Sequence, residues 1–312
     1  MNSTKLSSFD NLPYPFYYVD RPTLIPNLSD EVTSLLCPVI GYWILSLFFH
    51  FLDRSGWRAL DKYRIHESKE VTSRNLVTPG QVVRAVVLQQ VIQTALGFLV
   101  LEEQAERVDH AGKMRSLSGT IGNVLAVLVG QKGGMSLLQE KGVEITWFTY
   151  WWAIPTAQFF LAIFIMDSWE YFLHRLFHIN KFLYKHIHSV HHRLYVPYAF
   201  GALYNHPLEG FLLDTAGALV AHAGSFMNTR QAVLLFTIST LKTVDDHCGY
   251  KLPWDPLQWF TTNNADYHDI HHQVVGIKSN FSQPFFVHWD VILGTRMTRE
   301  EVEQRRKKQK SS

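Results

Sequence analysis

Two runs in this 312-residue chain, residues 35–52 and 145–166, contain no aspartate, glutamate, lysine or arginine. Each approaches the roughly 20 residues that a helix needs to cross the hydrocarbon of a bilayer, and within lipid only helices and closed barrels satisfy their own backbone. Both runs are expected to span a membrane. Residues 82–101 make a third expected span, although Arg84, Gln89, Gln90 and Gln93 interrupt it; Arg84 lies near one end, where its head can reach water. Two shorter apolar stretches, 208–224 and 231–241, flank Asn228, Thr229 and Arg230 and read as a hairpin that dips into or crosses the bilayer. Residues 120–130 are too short to cross alone, so 102–144 reads as a loop. The first 30 residues are polar and proline-bearing, unlike a cleavable signal peptide.

Basic residues set the expected orientation. Residues 53–80 hold Arg54, Arg58, Lys62, Arg64, Lys69 and Arg74, whereas the residues before the first span hold only Lys5 and Arg21. The positive-inside rule then puts 53–80 in the cytosol and the amino terminus, with the sequons at Asn2 and Asn27, in the lumen. Counting spans puts the loop 102–144 in the lumen and the residues after 166 in the cytosol, beside Arg175, Lys181, Lys185 and Arg193; the sequon at Asn280 is also cytosolic on this map. The tail carries Arg305, Arg306, Lys307, Lys308 and Lys310, and the placement of Lys308 and Lys310 looks like a dilysine retrieval signal of the endoplasmic reticulum. The two cysteines, Cys37 and Cys248, call for no disulfide framework.

Three histidine clusters follow the 145–166 span: His174/His178, His188/His191/His192 and His268/His271/His272. Residues three and four apart share a helix face, so each cluster aims its imidazoles at one place. Eight nitrogen donors exceed what one metal takes, since tetrahedral zinc uses four and octahedral iron six. The count argues for two metals close together. No glutamate has a histidine three places later, which removes the carboxylate-bridged di-iron bundle, and H-E-x-x-H is absent, which removes the common zinc protease. A metal transporter is the non-enzyme alternative, but its ligands belong inside spanning segments, and here they lie beside them among Asn180, Lys185, Asn263, Asn264 and Asp266. Lone histidines such as His50, His66, His110, His222 and His288 read as satisfied core residues. His186, two residues from His188, points to a different face.

An imidazole-rich metal pair at a membrane surface suits dioxygen-dependent attack on an unactivated C–H bond of a lipid. Asp167, Glu170, Asp214, Asp245, Asp246, Asp266 and Asp269 are available to accept the second N–H of the ligands. The chain shows neither a dinucleotide fingerprint nor a haem attachment motif, so electrons are expected from a partner. A basic surface suits an acidic carrier.

The cluster series resembles the sterol desaturase and fatty acid hydroxylase superfamily, whose H-x-x-x-H, H-x-x-H-H, H-x-x-H-H pattern lies at His174 to His178, His188 to His192 and His268 to His272. The stretches His192 to Gly210, Asp245 to Tyr250 and Asn280 to Asp290 look more narrowly like the fungal sphingoid base C4-hydroxylases. The resemblance implies a di-iron monooxygenase of sphingolipid biosynthesis in the endoplasmic reticulum. It would hydroxylate sphinganine or dihydroceramide with O2 and electrons from NADPH through cytochrome b5 and its reductase. The resemblance also implies His206 and His247 as further metal ligands. Sterol C4-methyl oxidation, sterol C5 desaturation and fatty acid 2-hydroxylation remain open within the superfamily, because the clusters do not choose among them; the wall residues that would choose are sought among Tyr195, Tyr198, Phe200, Tyr204 and Trp254. A nucleic-acid partner is not expected.

The expected fold is therefore all-α: an integral membrane helical bundle of about four membrane segments plus a hairpin, capped by a cytosolic His-rich helical catalytic region. Its parts are an N-terminal membrane region over 1–144, a membrane helix with the catalytic domain over 145–298, and a basic cytosolic tail over 299–312.

Overall fold

A computed structural model describes residues 9–100, 108–259 and 261–311. Among them no strand occurs, only two isolated bridges. α1 (Asp30–Arg54) has Asp30 and Glu31 in its first turn and Arg54 in its last, the charge order that a helix dipole favours. α2 (Pro79–Val100) begins on a proline, whose missing N–H costs little in a first turn. These two helices and the helical stretch His110–Ile179 are long and apolar enough to cross a membrane. Their bare faces are apolar, with Ile44 65%, Phe51 69% and Leu99 82% exposed. Patches of this kind belong against lipid rather than water, and the chain is a helical membrane protein.

The expected loop at 102–144 is corrected by the structure, for α3 (His110–Phe148) occupies it from His110 onward. Gly130, at φ 78° and ψ 157°, divides α3 into two arms, using a backbone region open to glycine. The arms fold back on one another. A Cβ built on Gly134 would stand 2.8 Å from the backbone nitrogen of Ala126, and one on Gly122 would meet Leu138 Cδ1 at 2.8 Å. Small residues thus let two backbones touch, as they do between helices in lipid. The sequence G-Q-K-G-G around the reversal reads locally as a loop, and neither arm alone is apolar enough to announce a span. Residues 101–107 lie outside the described residues.

The chain divides into two compact units, Met1–Ser29 with Glu103–Phe160 and Asp30–Glu102 with Leu161–Ser312. In the first, Phe9, Met114 and Trp151 form a small core, and the His110 ring lies between the hydroxyls of Tyr18 and Tyr150 at 2.6 and 2.8 Å. A π-helical turn, Thr149–Ala153, leads into α4 (Ile154–Ile179).

The second unit carries the histidines. α5 (Ala216–Gly224) and α6 (Thr229–Asp246) follow one another across a short turn, and Asn228 caps α6 in a reciprocal box with Gln231. α6 packs along α1, where Gly41 leaves room for Leu241: a Cβ there would sit 3.3 Å from Leu241 Cδ2. The glutamines that interrupt α2 face inward. Gln90 Oε1 accepts from Trp43 Nε1 at 2.9 Å, and the Gln89 and Gln93 amides turn toward Asp214. Polar side chains in a spanning helix are stable when they bond between elements in this way. α7 (Ala265–His272) and α8 (Arg299–Ser311) complete the unit, joined through Ile270, Met297 and Val302. The basic tail is therefore a helix through Ser311.

Candidate metal centre

His174 and His178 stand one turn apart on the buried face of α4. Asn180 then accepts from the amides of Phe182 and Leu183, starting the short helix Lys181–His186 that turns the chain back. A 3-10 turn, His188–Arg193, carries the second cluster. It is held from outside by Asn75, whose amide pairs with both N and O of Val196, and by Tyr42, whose hydroxyl donates to Phe200 O at 2.7 Å. α7 carries the third cluster, its start fixed by Asn264 accepting from Tyr267 N at 3.0 Å. The loop after it is latched by two buried aspartates. Asp290 accepts from Phe281 N and Ser282 N at 3.1 and 2.6 Å, and Asp167 on α4 accepts from Phe285 N and Phe286 N at 3.0 and 2.9 Å.

The rings sort into two groups, all buried: His174, His178, His188, His192 and His271 in one, and His191, His247, His268 and His272 in the other. In each group the ligand atoms lie within 4.8 Å of one another. The H-x-x-H-H clusters are shared between groups. The i and i+4 histidines of each serve one group and the i+3 histidine serves the other, because a helix or 3-10 turn rotates the middle residue off the line of its neighbours.

Protons make these contacts informative. Six rings present Nδ1 to an acceptor: His174 to Phe281 O, His188 to Glu209, His191 to Tyr204 O, His247 to Thr243 O, His271 to Ser279 O and His272 to Leu194 O, at 2.5 to 3.1 Å. A neutral imidazole has one N–H, so a ring that donates from Nδ1 has a bare Nε2. The Nε2 atoms of His174 and His188 are 3.1 Å apart, and Nε2 of His268 lies 3.0 Å from the Nε2 atoms of both His247 and His272, where its one proton can bridge only one of the two pairs. Lone pairs do not approach so closely without a cation between them. Two nitrogens bound at right angles about 2.1 Å from one metal are about 3.0 Å apart, which is the spacing found. Nε2 of His271 is buried with no hydrogen-bond partner among the described residues. The donor set therefore fits metal, and it fits two ions.

Electrostatics keep the donors available. Burial holds His191 at about 4 and His271 and His247 at about 3, far below an ordinary imidazole. Burial, reinforced by neighbouring imidazoles, pushes His188, His192, His268 and His272 well below it too. Near neutral pH these rings are uncharged, the form that binds metal.

His247 joins the second group, whereas His206 joins neither: it precedes the short helix Pro207–Gly210 and accepts from Leu208 N at 3.2 Å. His186 is exposed. None of the seven carboxylates considered from sequence touches a ligand ring. Asp269 pairs with His66 and Arg299, Asp266 with Arg299, Asp246 with Lys242, and Asp245 with Gln258. The carboxylate that does touch one is Glu209, bonded to His188 Nδ1; its place in N-H-P-L-E-G was visible, but its contact was not. Most other acceptors are backbone carbonyls, which no sequence displays.

An apolar cavity of about 150 Å³ lies among α1, α2, α4, α5 and α6. Leu35, Val39, Met166, Ala218, Leu219 and Phe236 line it. Glu170, Asp214, Thr243 and Pro284 border both this cavity and a smaller compartment walled by His188, His191 and His247. None of Tyr195, Tyr198, Phe200, Tyr204 and Trp254 lines either space; Tyr198, Phe200 and Tyr204 pack in the core against α1 and Trp254 is exposed.

Long apolar helices, a two-part imidazole centre and an apolar cavity opening onto it define a class of membrane-embedded metalloproteins. Within that class, the chain belongs to the fatty acid hydroxylase family. The family model described as fatty acid hydroxylase matches residues 159–295. The chain is 47% identical over 290 residues to sphingolipid C4-hydroxylase sur2 of Schizosaccharomyces pombe, covering 92% of this chain and 96% of that one. It is 42% identical over 268 residues to sphinganine C4-monooxygenase 2 of Arabidopsis thaliana, covering 86% and 88%. To methylsterol monooxygenase 1 of Rattus norvegicus it is 36% identical over 148 residues, covering 46% and 48%. No solved structure matches it.

Proposed function

We propose that this protein is a di-iron monooxygenase that hydroxylates C4 of a sphingoid base or its ceramide, in the endoplasmic reticulum membrane with its metals toward the cytosol. The observation that carries the reading is the division of nine buried imidazoles into five and four beside an apolar cavity. The ligand set is His174, His178, His188, His192 and His271 for one iron and His191, His247, His268 and His272 for the other; these residues form the catalytic centre. Relatives named for this reaction match nearly the whole chain, whereas the methylsterol relative matches less than half.

The two irons supply dioxygen reduction and the oxidation of a C–H bond. One O2, two electrons and two protons convert C–H to C–OH and release water, with the electrons from NADPH through cytochrome b5 and its reductase. The chain's own residues do the rest. The carbonyls of Phe281, Tyr204, Thr243, Ser279 and Leu194 and the carboxylate of Glu209 fix ring tautomers and orientation. The apolar cavity excludes water and holds the alkyl chain, placing one carbon beside the metals.

The test is product analysis on purified, iron-loaded protein given reductant, O2 and either sphinganine or a C4-methyl sterol. A 4-hydroxylated base and about two irons per chain are expected. Oxidised sterol would move the assignment to the sterol branch, and readily exchangeable zinc without turnover would revive a transporter.

A further inference from the structure

Glu170 stands four residues before His174 on the buried face of α4 and is 7% exposed. A buried carboxylate normally takes donors from its surroundings, as Asp167 does with the amides of Phe285 and Phe286. Glu170 takes none: no hydrogen bond or ion pair reaches its carboxylate among the described residues. It borders the apolar cavity and the compartment against His188, His191 and His247. Asp214 borders the same two spaces, with only long contacts at 3.5 Å from Gln89, Gln93 and Asn205. In the wall between them and the histidines, Oε2 of Glu209 also lacks a partner. No lysine or arginine lines either space. Acidic groups gathered in an apolar enclosure with no basic side chain are unfavourable, and a ligand that brings positive charge and hydroxyl donors relieves them.

We propose that Glu170 and Asp214 bind the ammonium and hydroxyl groups at the polar end of a free long-chain base, and so select the unacylated amine over its N-acyl form. The inference rests on the reaction proposed above. In a 2-amino-1,3-diol the ammonium-bearing carbon lies two bonds from C4. One helical turn, about 5.4 Å, separates Glu170 from His174, so an ammonium held at Glu170 sets C4 beside the metals while the tail extends into the apolar cavity. N-acylation removes the charge and adds bulk where the compartment is small.

The test uses the full-length, iron-loaded protein in bilayer discs with sphinganine and N-acetylsphinganine, which differ in the amine. Wild type is expected to favour sphinganine by about tenfold or more in kcat/KM, the scale of one hydrogen bond to a charged group. Glu170→Gln is expected to raise KM for sphinganine by about the same factor and to erase most of the preference, with Asp214→Asn acting in the same direction and iron content retained in both. Equal use of the two lipids by wild type overturns the assignment, as does a loss in Glu170→Gln that is equal for both lipids or accompanied by loss of iron. Should the variants fail to fold, the wild-type comparison still decides. Absence of any 4-hydroxylated product from either lipid sinks the reaction itself, whereas product made without preference sinks only the carboxylate role.

Discussion

Oε1 of Glu209 lies 2.5 Å from Nδ1 of His188, and both side chains are 1% exposed. The carboxylate accepts a hydrogen bond from Nδ1–H, which leaves Nε2 bare, so it sets both tautomer and ring direction. Glu209→Ala is expected to weaken metal retention by about 10- to 100-fold and activity with it, whereas Glu209→Gln, which keeps an acceptor oxygen, loses less. Metal content after dialysis against a graded chelator measures this. Unchanged retention in Glu209→Ala would detach the carboxylate from the metal centre.

His247 and His206 separate cleanly. His247→Ala removes one of four donors from the second group and is expected to lower iron well below two per chain, with turnover abolished. His206→Ala removes only a helix-capping acceptor and is expected to keep both irons. Iron analysis of the two purified variants distinguishes ligand from cap.

The cavity predicts chain-length control. Ala218→Phe places a ring among Leu35, Met166 and Phe236 and is expected to shift preference toward shorter bases by several carbons, with stability little changed because the ring fills existing space. Competition among bases of graded length, read by mass spectrometry, shows the shift or its absence.

His66 gives a pH dependence. Its Nε2 is 2.7 Å from Asp269 Oδ1 and its Nδ1 3.2 Å from Glu70 Oε2. Burial works against its charge, yet the bond and charge of Asp269, helped by Glu70, outweigh burial and hold its pKa above the ordinary value. A raised folded pKa stabilises fully below the unfolded value of about 6.5 and loses that contribution as pH climbs through the folded value. The gap in thermal midpoint between wild type and His66→Ala should therefore be wider at about pH 6 than at about pH 8.5. A gap of equal width at both would remove the ion pair from the account.

Membrane orientation is best read at Asn27, which is exposed. Glycosylation there, lost in Asn27→Gln and shown by an endoglycosidase mobility shift, is expected if the amino-terminal side is lumenal; Asn2 lies outside the described residues. Asn280 carries no information on sidedness. Its side chain is fully buried, bonded to Tyr267 O, Met297 O and Met297 N, so no transferase could reach it in the folded protein on either face.

The readable parts of this protein were those in which one residue type repeats at the period of one element. The eight clustered histidines and the charge-free spans are of that kind. What escaped depends on distant contacts. Gln89, Gln90 and Gln93 weakened the reading of α2 because their partners, Trp43 and Asp214, come from other segments. The arms of α3 stabilise each other across Gly130, so neither carried the pattern alone. Backbone carbonyls orient most of the clustered rings, and three of the five aromatic residues first considered for the cavity wall, Tyr198, Phe200 and Tyr204, were drawn into the core beside α1.

Because each H-x-x-H-H segment contributes to both imidazole groups, neither group can be dismantled without loosening the other. Loading is thus expected to be coupled: an ion captured by the five-histidine group would pull α4, the 188–193 turn and α7 into register and preshape three of the four rings of the other group. A half-metallated chain should be a scarce species, and the centre should fill or empty as a pair.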